Sequence, residues 1–375
     1  MLKVKKIIGQ IHLWLGLASG LVVFILGITG AIYAFSDEIK ELIYKDRLQV
    51  SVPDGAVRLP LSQLKLIAEE AIGKDRKISR AELSQSPGRT YMFRAMKLNR
   101  KAFGYWNYYQ YYDKVYLNPY TGQVVFKEDA KREFFTVVLA LHMNLLLGNN
   151  VGHFVVRWSV VCFVILLISG IVLWWPKNWK PKQLKKSFKV KWNAKFKRLN
   201  YDLHNVLGFY SFLALMVIAL TGLMWSFELT TENKAKVLSD TTQVSEIMPN
   251  DLILGQALKA SPRTAYFLYN FPSANSGTVN VSAYQSEMRL YDRVQYKFDR
   301  YSGKLLQKGD AFGQLSLGAK VIAMNYDLHT GSVLGLGGKL LTFLAGLIAA
   351  GLPVTGFLIW WRRGKQLKGV NKILP

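Results

Sequence analysis

Cysteine is nearly absent from the 375 residues: Cys162 stands alone, in the middle of an apolar run. A disulfide framework is therefore excluded. With no Cys-x-x-Cys, there is also no thiolate set for zinc, for an iron–sulfur cluster or for covalently attached haem. Acidic residues are scarce, 24 against 49 Lys and Arg, for a formal charge of +25. Such a balance raises nucleic acid as a partner, but the surplus is not spread over a groove. Lys3, Lys5 and Lys6 precede the first apolar run, ten Lys or Arg fall in 177–198 and five in 362–375, none of these stretches holding an acid. Positive charge flanking apolar runs is the distribution of the positive-inside rule, so no nucleic-acid partner is expected. No glycine-rich dinucleotide fingerprint follows a soluble strand, so no flavin or nicotinamide domain is expected either. Histidine is rare: His12, His142, His153, His204 and His329 are the whole set, and all stand at the ends of apolar runs.

What the chain has is long apolar runs, at about 8–35, 151–175, 203–228 and 338–361. Each can cross a hydrocarbon core of about 30 Å at about 1.5 Å per helical residue. The run from Ile7 to Phe35 exceeds the roughly 7–15 residue core of a signal peptide, so it is expected to stay as an anchor. With the basic segments inside, including the loop around Lys185-Lys186, both termini are cytoplasmic. Two polar segments, about 36–134 and 229–325, then face the periplasm or exterior.

Each polar segment opens with a proline and an amphipathic helix: Pro60 with Leu61, Leu64, Ile67, Ala68 and Ala71, then Pro249 with Leu252, Leu254, Ala257 and Leu258. Strands are predicted at Thr90–Met96, Tyr105–Leu117 and 124–126, then at Ala265–Phe271, Thr278–Ala283, Tyr291–Phe298 and 305–306. The turns Asn118-Pro119-Tyr120-Thr121-Gly122 and Asp299-Arg300-Tyr301-Ser302-Gly303 lie at matching places. Two small α+β modules are expected.

The spans repeat as well. His12, Gly16 and Thr29-Gly30 recur with the same spacing as His204, Gly208 and Thr221-Gly222. Leu141-His142, Gly148, Gly152, Ser169-Gly170 and Trp174-Trp175 recur as Leu328-His329, Gly335, Gly338, Thr355-Gly356 and Trp360-Trp361. The chain is a tandem duplication of span, outer module, span, and both copies start on the same side. The expected fold is thus a four-transmembrane-helix bundle with two α+β extracytoplasmic modules. Its parts are 1–35 (N-terminus and first span), 36–134 (first module), 135–176 (pre-span helix and second span), 177–200 (basic loop), 201–228 (third span), 229–328 (second module) and 329–375 (fourth span and basic tail).

This pattern of His-x3-Gly, Thr-Gly, Leu-His, Ser-Gly and Trp-Trp resembles the PepSY-associated transmembrane proteins over nearly the whole chain. The resemblance implies a bacterial inner-membrane protein with PepSY-like modules. Some members are ferrisiderophore reductases carrying b-type haem between their spans. For this chain that implies a b-type cytochrome oxidoreductase that reduces a periplasmic ferric siderophore or other chelate and releases iron(II). The electron donor must then be separate, a quinol or a cytoplasmic reductase. PepSY modules also resemble peptidase propeptides, so a non-enzymatic peptidase regulator is an alternative, as is a transporter using the histidines as proton relays.

Ionisable side chains close to hydrocarbon are costly and usually have a task. Zinc would want acids or cysteines beside the histidines. Asp202 and Asp327 are near, in a repeated Asn-Tyr-Asp-Leu-His, but residues two apart on a helix point apart. Each Asp is expected as the N-cap of the helix presenting its histidine. Haem needs two axial histidines on facing helices and small-residue walls. Ser169-Gly170 and Thr355-Gly356 fall at the depth of His12 and His204, and Thr29-Gly30 and Thr221-Gly222 at that of His142 and His329. Two haems b are therefore expected, one on His12 and His204 and an outer one on His142 and His329, with glycines admitting the macrocycles. His153 is the alternative outer ligand. Arg157 can pair with a haem propionate or snorkel to the interface. The run Tyr105–Tyr112 reads as a strand of β-formers, and the Trp pairs as interface belts.

Overall fold

The computed structural model describes residues 2–73, 75–176, 180–181, 187–229, 237–242, 249–287 and 289–370. The expected loop tip at Lys185-Lys186 lies outside the described residues. The chain divides into two compact units, one made of Met1–Phe35, Val138–Leu229 and Leu328–Pro375, the other of Ser36–Val137 and Thr230–Asp327.

Four helices of the first unit are long and apolar enough to cross a membrane. They are α1 (Leu2–Ala34), α7 (Asn149–Trp174), α8 (Phe196–Ser226) and α12 (Gly335–Val370). They pack in a ring: α1 lies against α7 and α12, and α8 against the same two. Hence α1 and α8 face each other across one diagonal, and α7 and α12 across the other. Small residues close the α1–α12 contact. A Cβ on Gly27 would stand 2.6 Å from the Gly346 carbonyl oxygen and 2.7 Å from the Ala350 nitrogen, so only glycine lets these backbones meet. Leu167, Leu215, Ala345 and Ala349 form a buried apolar layer within the ring. Two short helices, α6 (Phe134–Asn144) and α11 (Asn325–Thr330), lead into α7 and α12. Trp174 stacks on Phe209 at 4.0 Å and donates to the Ser187 carbonyl, so it is packed inward, whereas Trp175 is half exposed like an interface residue.

The second unit is built on one antiparallel sheet, not on two separate modules as expected. Its strands are β1 (Ile78–Ser84), β2 (Tyr91–Leu98), β3 (Tyr109–Leu117), β4 (Val124–Asp129), β5 (Tyr266–Asn270), β6 (Val279–Tyr284), β7 (Arg293–Phe298) and β8 (Leu305–Lys308). Their order is β4-β3-β2-β1-β5-β6-β7-β8. Each half supplies a four-stranded meander, and β1 joins β5 through pairs running from Arg80↔Asn270 to Ser84↔Tyr266. Pairing the two halves hides one edge strand of each. The helices α4 (Leu61–Ile72) and α9 (Asn250–Ala260) share one face, burying Leu64, Ala68, Ile253 and Ala257 against Phe93, Leu117 and Phe267. Each fully buried large apolar side chain there contributes about 1.5–3 kcal/mol.

The two turns match as read. Asn118 Oδ1 accepts from the Tyr120 amide and Asp299 Oδ1 from the Tyr301 and Ser302 amides, ahead of Gly122 and Gly303, whose φ of 75° and 66° favours glycine. Two details differ from expectation. Tyr105–Tyr108 forms a helical turn, α5, because Tyr105 buries its ring and donates to the Lys131 carbonyl, so the strand starts only at Tyr109. Strand β1 was not expected, since its sequence Ile-Ser-Arg-Ala-Glu-Leu-Ser breaks apolar alternation at a bulge.

Candidate functional site

Four of the five histidines come together as two pairs in the membrane-type unit. His12 on α1 and His204 on α8 face across a diagonal, with ring centres 6.4 Å apart and planes at 85°. His142 on α6 and His329 on α11 stand 6.1 Å apart at 67°. His153 joins neither pair. The first pair lies at the end of the unit next to the basic segments 3–6 and 187–198. The second lies at the end where the chain passes into and out of the sheet unit.

The same bond holds all four rings. His12 Nδ1 is 2.9 Å from Ser169 Oγ, and His204 Nδ1 is 2.9 Å from Thr355 Oγ1. His142 Nδ1 is 3.1 Å from Thr29 Oγ1, and His329 Nδ1 is 3.0 Å from Thr221 Oγ1. Each hydroxyl already donates to its own helix: Thr29 to Ile25, Thr221 to Val217, Thr355 to Gly351 and Ser169 to Leu166 carbonyls. A hydroxyl whose proton is committed can only accept, so the imidazole Nδ1 carries the proton. For the second pair this is doubly required, because Nδ1 also meets the Leu26 and Ile218 carbonyls at 3.1 and 3.0 Å, and a carbonyl cannot donate. Every ring is thereby fixed in one tautomer and orientation, with the Nε2 lone pair left over. Metal-binding histidines are held in the same way, by a bond to the nitrogen that does not ligate.

The glycines lie against the histidine rings. A Cβ on Gly30, Gly222, Gly356 or Gly170 would stand 3.0, 3.3, 3.2 or 3.5 Å from Cε1 of His142, His329, His204 or His12. The space they leave is met by imidazole edges. Glycine lets the ring lie against the helix so that Nδ1 reaches the hydroxyl of the preceding residue. The Thr-Gly and Ser-Gly pairs are therefore histidine seats.

Neither aspartate is an N-cap. Asp202 lies inside α8, ion-paired to Arg198 at 2.8 Å and accepting from the Lys191 amide. Asp327 lies inside α11 and accepts from the Leu290 and Tyr291 amides at 3.1 Å each. Both helices start earlier than the pattern implied, and each carboxylate ties a neighbouring loop to the helix bearing the histidine. Asn200 adds a bond to the Thr355 carbonyl at 3.0 Å, steadying the residue that holds His204. Sequence reasoning passed over Glu133, whose carboxylate accepts from the Phe135 and Thr136 amides at 3.0 and 2.7 Å. It caps α6, the helix that carries His142, and the signal for it was an acid directly before an apolar helix.

The second-pair helices turn back tightly onto the spans that follow. A Cβ on Gly152 would strike the Asn144 carbonyl, and one on Gly338 the Gly331 carbonyl. Arg157 sits over the Phe227 ring at 4.9 Å, and its buried Nε has no hydrogen-bond partner. Among the described residues, no group of three or more His, Cys, Asp or Glu could hold a metal ion. Each pair offers two nitrogens and no acid, which does not suit zinc.

A family model described as the PepSY-associated TM region matches residues 10–363, and the chain belongs to that family. No curated protein matches the chain.

Proposed function

We propose that this member of the PepSY-associated transmembrane family is an oxidoreductase of the bacterial inner membrane, moving electrons across the bilayer to a ferric chelate such as a siderophore. His12 and His204 would hold one haem b, and His142 and His329 a second. Such a group would supply a one-electron carrier. The observation that carries the proposal is the spacing of the rings. A metal–imidazole bond is about 2.0–2.1 Å and a ring centre lies about 1.1 Å from its nitrogen, so two imidazoles on opposite sides of one metal have centres about 6.3 Å apart. The two pairs stand at 6.4 and 6.1 Å. Direct edge-to-face contact between rings also falls within about 4.5–7 Å. Contact alone gives no reason to hold four rings by Nδ1 with Nε2 spare.

The chain's own residues supply the rest. The Ser and Thr hydroxyls orient the rings by accepting from Nδ1, which turns Nε2 to the ligating position. The layer of Leu167, Leu215, Ala345 and Ala349 separates the two pairs with groups that relay no proton, which favours electron transfer over histidine proton relay. Arg157, whose buried Nε has no hydrogen-bond partner among the described residues, would suit a propionate. If the termini and basic segments face the cytoplasm, as their charge implies, the His12–His204 pair would receive electrons, from a quinol or a reductase.

The test is the visible spectrum of the purified full chain, oxidised and then reduced with dithionite. The expected result is a bis-imidazole b-type spectrum with about two haems per chain. A colourless protein of intact mass from haem-replete cells overturns the proposal. Reporter fusions after Lys186 and after Gly277 should report opposite compartments; the same compartment for both refutes the orientation.

A further inference from the structure

The bulge that hid β1 also re-aims a charge. Ile78 pairs with Ala95, but Arg80 pairs with Arg94, so Ser79 is the extra residue. Without it, Arg80 would share the helix-covered face of Ile78, two positions away. With it, Ala81 and Leu83 take that face, and Arg80 turns to the other. Ser79 pins the bulge by donating to the Arg94 carbonyl at 3.1 Å and by accepting from the Phe271 amide.

Two arginines thus stand directly opposite each other at the centre of the sheet, an arrangement that costs stability across an antiparallel pair. Burial, and next the Arg94 charge, holds the Arg80 guanidinium below its ordinary pKa. Two other arginines of this unit are neutralised: Arg47 pairs with Glu128 at 2.7 Å and Arg76 with Asp113 at 2.6 Å. Among the described residues Arg80 donates to the Asn270 side-chain oxygen at 2.7 Å, and Arg94 Nε is buried with no hydrogen-bond partner. Among the described residues neither arginine makes an ion pair, although Glu82 shares their face. Tyrosines stack on both flanks, Tyr109 on Tyr112 at 5.3 Å and Tyr266 on Tyr284 at 4.6 Å. The whole unit contains no His and no Cys, and a guanidinium does not ligate a metal, so what Arg80 and Arg94 can recognise is the charge of the ligands that an iron brings with it.

We propose that Arg80 and Arg94 form the docking site for the anionic arms, carboxylate or catecholate, of a ferric chelate, with the flanking tyrosines covering its apolar parts. The iron belongs to the reductase reading; the anion site stands or falls separately. Two forks of donors suit bidentate recognition of such groups. An anion between them would remove the repulsion that the free sheet carries.

The probes are ferric citrate, which is anionic, and ferric tris-acetohydroxamate, which is neutral, in equilibrium dialysis against the detergent-purified full chain. Ferric citrate should bind, and more weakly at high salt. Arg80→Gln and Arg94→Gln should each weaken it about ten- to hundred-fold, while Tm stays level or rises because a like-charge contact is gone. Equal binding of the two chelates by the native chain, or unchanged ferric citrate affinity in Arg94→Gln, overturns the site. So does a Tm loss in Arg94→Gln without loss of binding, which marks a structural role. A haem-free chain that still binds ferric citrate through Arg94 keeps the site and removes the reductase. Reduction of both chelates at rates indifferent to Arg80 and Arg94 does the reverse.

Discussion

The two halves of the chain reach the same histidine seat by different backbones. In the first half, His142 leaves its helix through Leu145 and Leu146, both in the left-handed region with φ of 54° and 60°. In the second, His329 leaves through Gly331 at φ 80°, where a side chain would strike the Gly338 backbone. Left-handed leucine costs roughly 1–2 kcal/mol per residue, glycine almost nothing. The first half keeps that strain, and also recruits Glu133 as a cap, while the second relies on Asp327 and the loop at 290–291. Yet the end of the path is alike to within a tenth of an ångström: Nδ1 on a threonine hydroxyl at 3.1 and 3.0 Å. What is held constant is the direction of the imidazole. The route to it is free to differ.

The largest test of that equivalence removes a ring. If the halves share one outer site, His142→Ala and His329→Ala should behave alike. Each should bring haem content towards one per chain and stop reduction of an external ferric chelate, while the His12–His204 haem still takes electrons from its donor. His204→Ala should instead block that intake and leave an outer haem that dithionite reduces. His153→Ala, outside both pairs, should change neither spectrum nor activity. Spectra and a ferrous-trap assay on each variant in vesicles decide it; two haems and full activity in His329→Ala would sink the outer assignment.

Much of this site was readable before any coordinates. The pairing of His12 with His204 and of His142 with His329 followed from repeat spacing and helical rise, because both are local and periodic. The depth match between histidines and Thr-Gly or Ser-Gly pairs came from the same arithmetic. That each glycine meets an imidazole edge was not readable, since a glycine beside a ring and a glycine beside a macrocycle leave the same trace in one dimension. Asp202 looked like a cap because a helix start is only weakly marked inside a basic run. The single sheet depends on β1 meeting β5 across nearly two hundred residues, which no local pattern encodes. The bulge at Ser79 then erased the alternation by which β1 would have been found.

A smaller test works on the seats. A Cβ at Gly30 comes within 3.0 Å of His142 Cε1, tighter than side chains normally tolerate, whereas one at Gly170 stands 3.5 Å from His12, an ordinary contact. Gly30→Ala should therefore shift its ring by a few tenths of an ångström, weakening retention of the outer haem a few-fold. Gly170→Ala should leave the inner haem as it was. Gly222→Ala and Gly356→Ala, at 3.3 and 3.2 Å, should fall between. Haem dissociation to an acceptor globin ranks them; a large loss in Gly170→Ala alone would show that the glycine meets something other than the imidazole.

The smallest expected effect separates the halves by pH. Burial pushes the Glu133 carboxyl up, but the Lys40 charge, the Thr136 hydroxyl and the two capped amides outweigh it and leave it below the ordinary carboxylate value. A carboxyl whose folded pKa is depressed stabilises the fold above its unfolded pKa, about 4.3 here, and that contribution is lost as pH falls through the folded value. Glu133→Gln should then cost about 1 kcal/mol at neutral pH through a weaker cap, and almost nothing once the native carboxyl is itself protonated. The two Tm curves should converge as the pH falls through the depressed folded value. His142 sits on the helix that Glu133 caps, whereas His329 sits on a helix anchored by Asp327. Lowering the pH should therefore perturb the His142 side first, and the difference should vanish in Glu133→Gln. Parallel curves over the whole range would mean that the charge of Glu133 has no part in holding the helix.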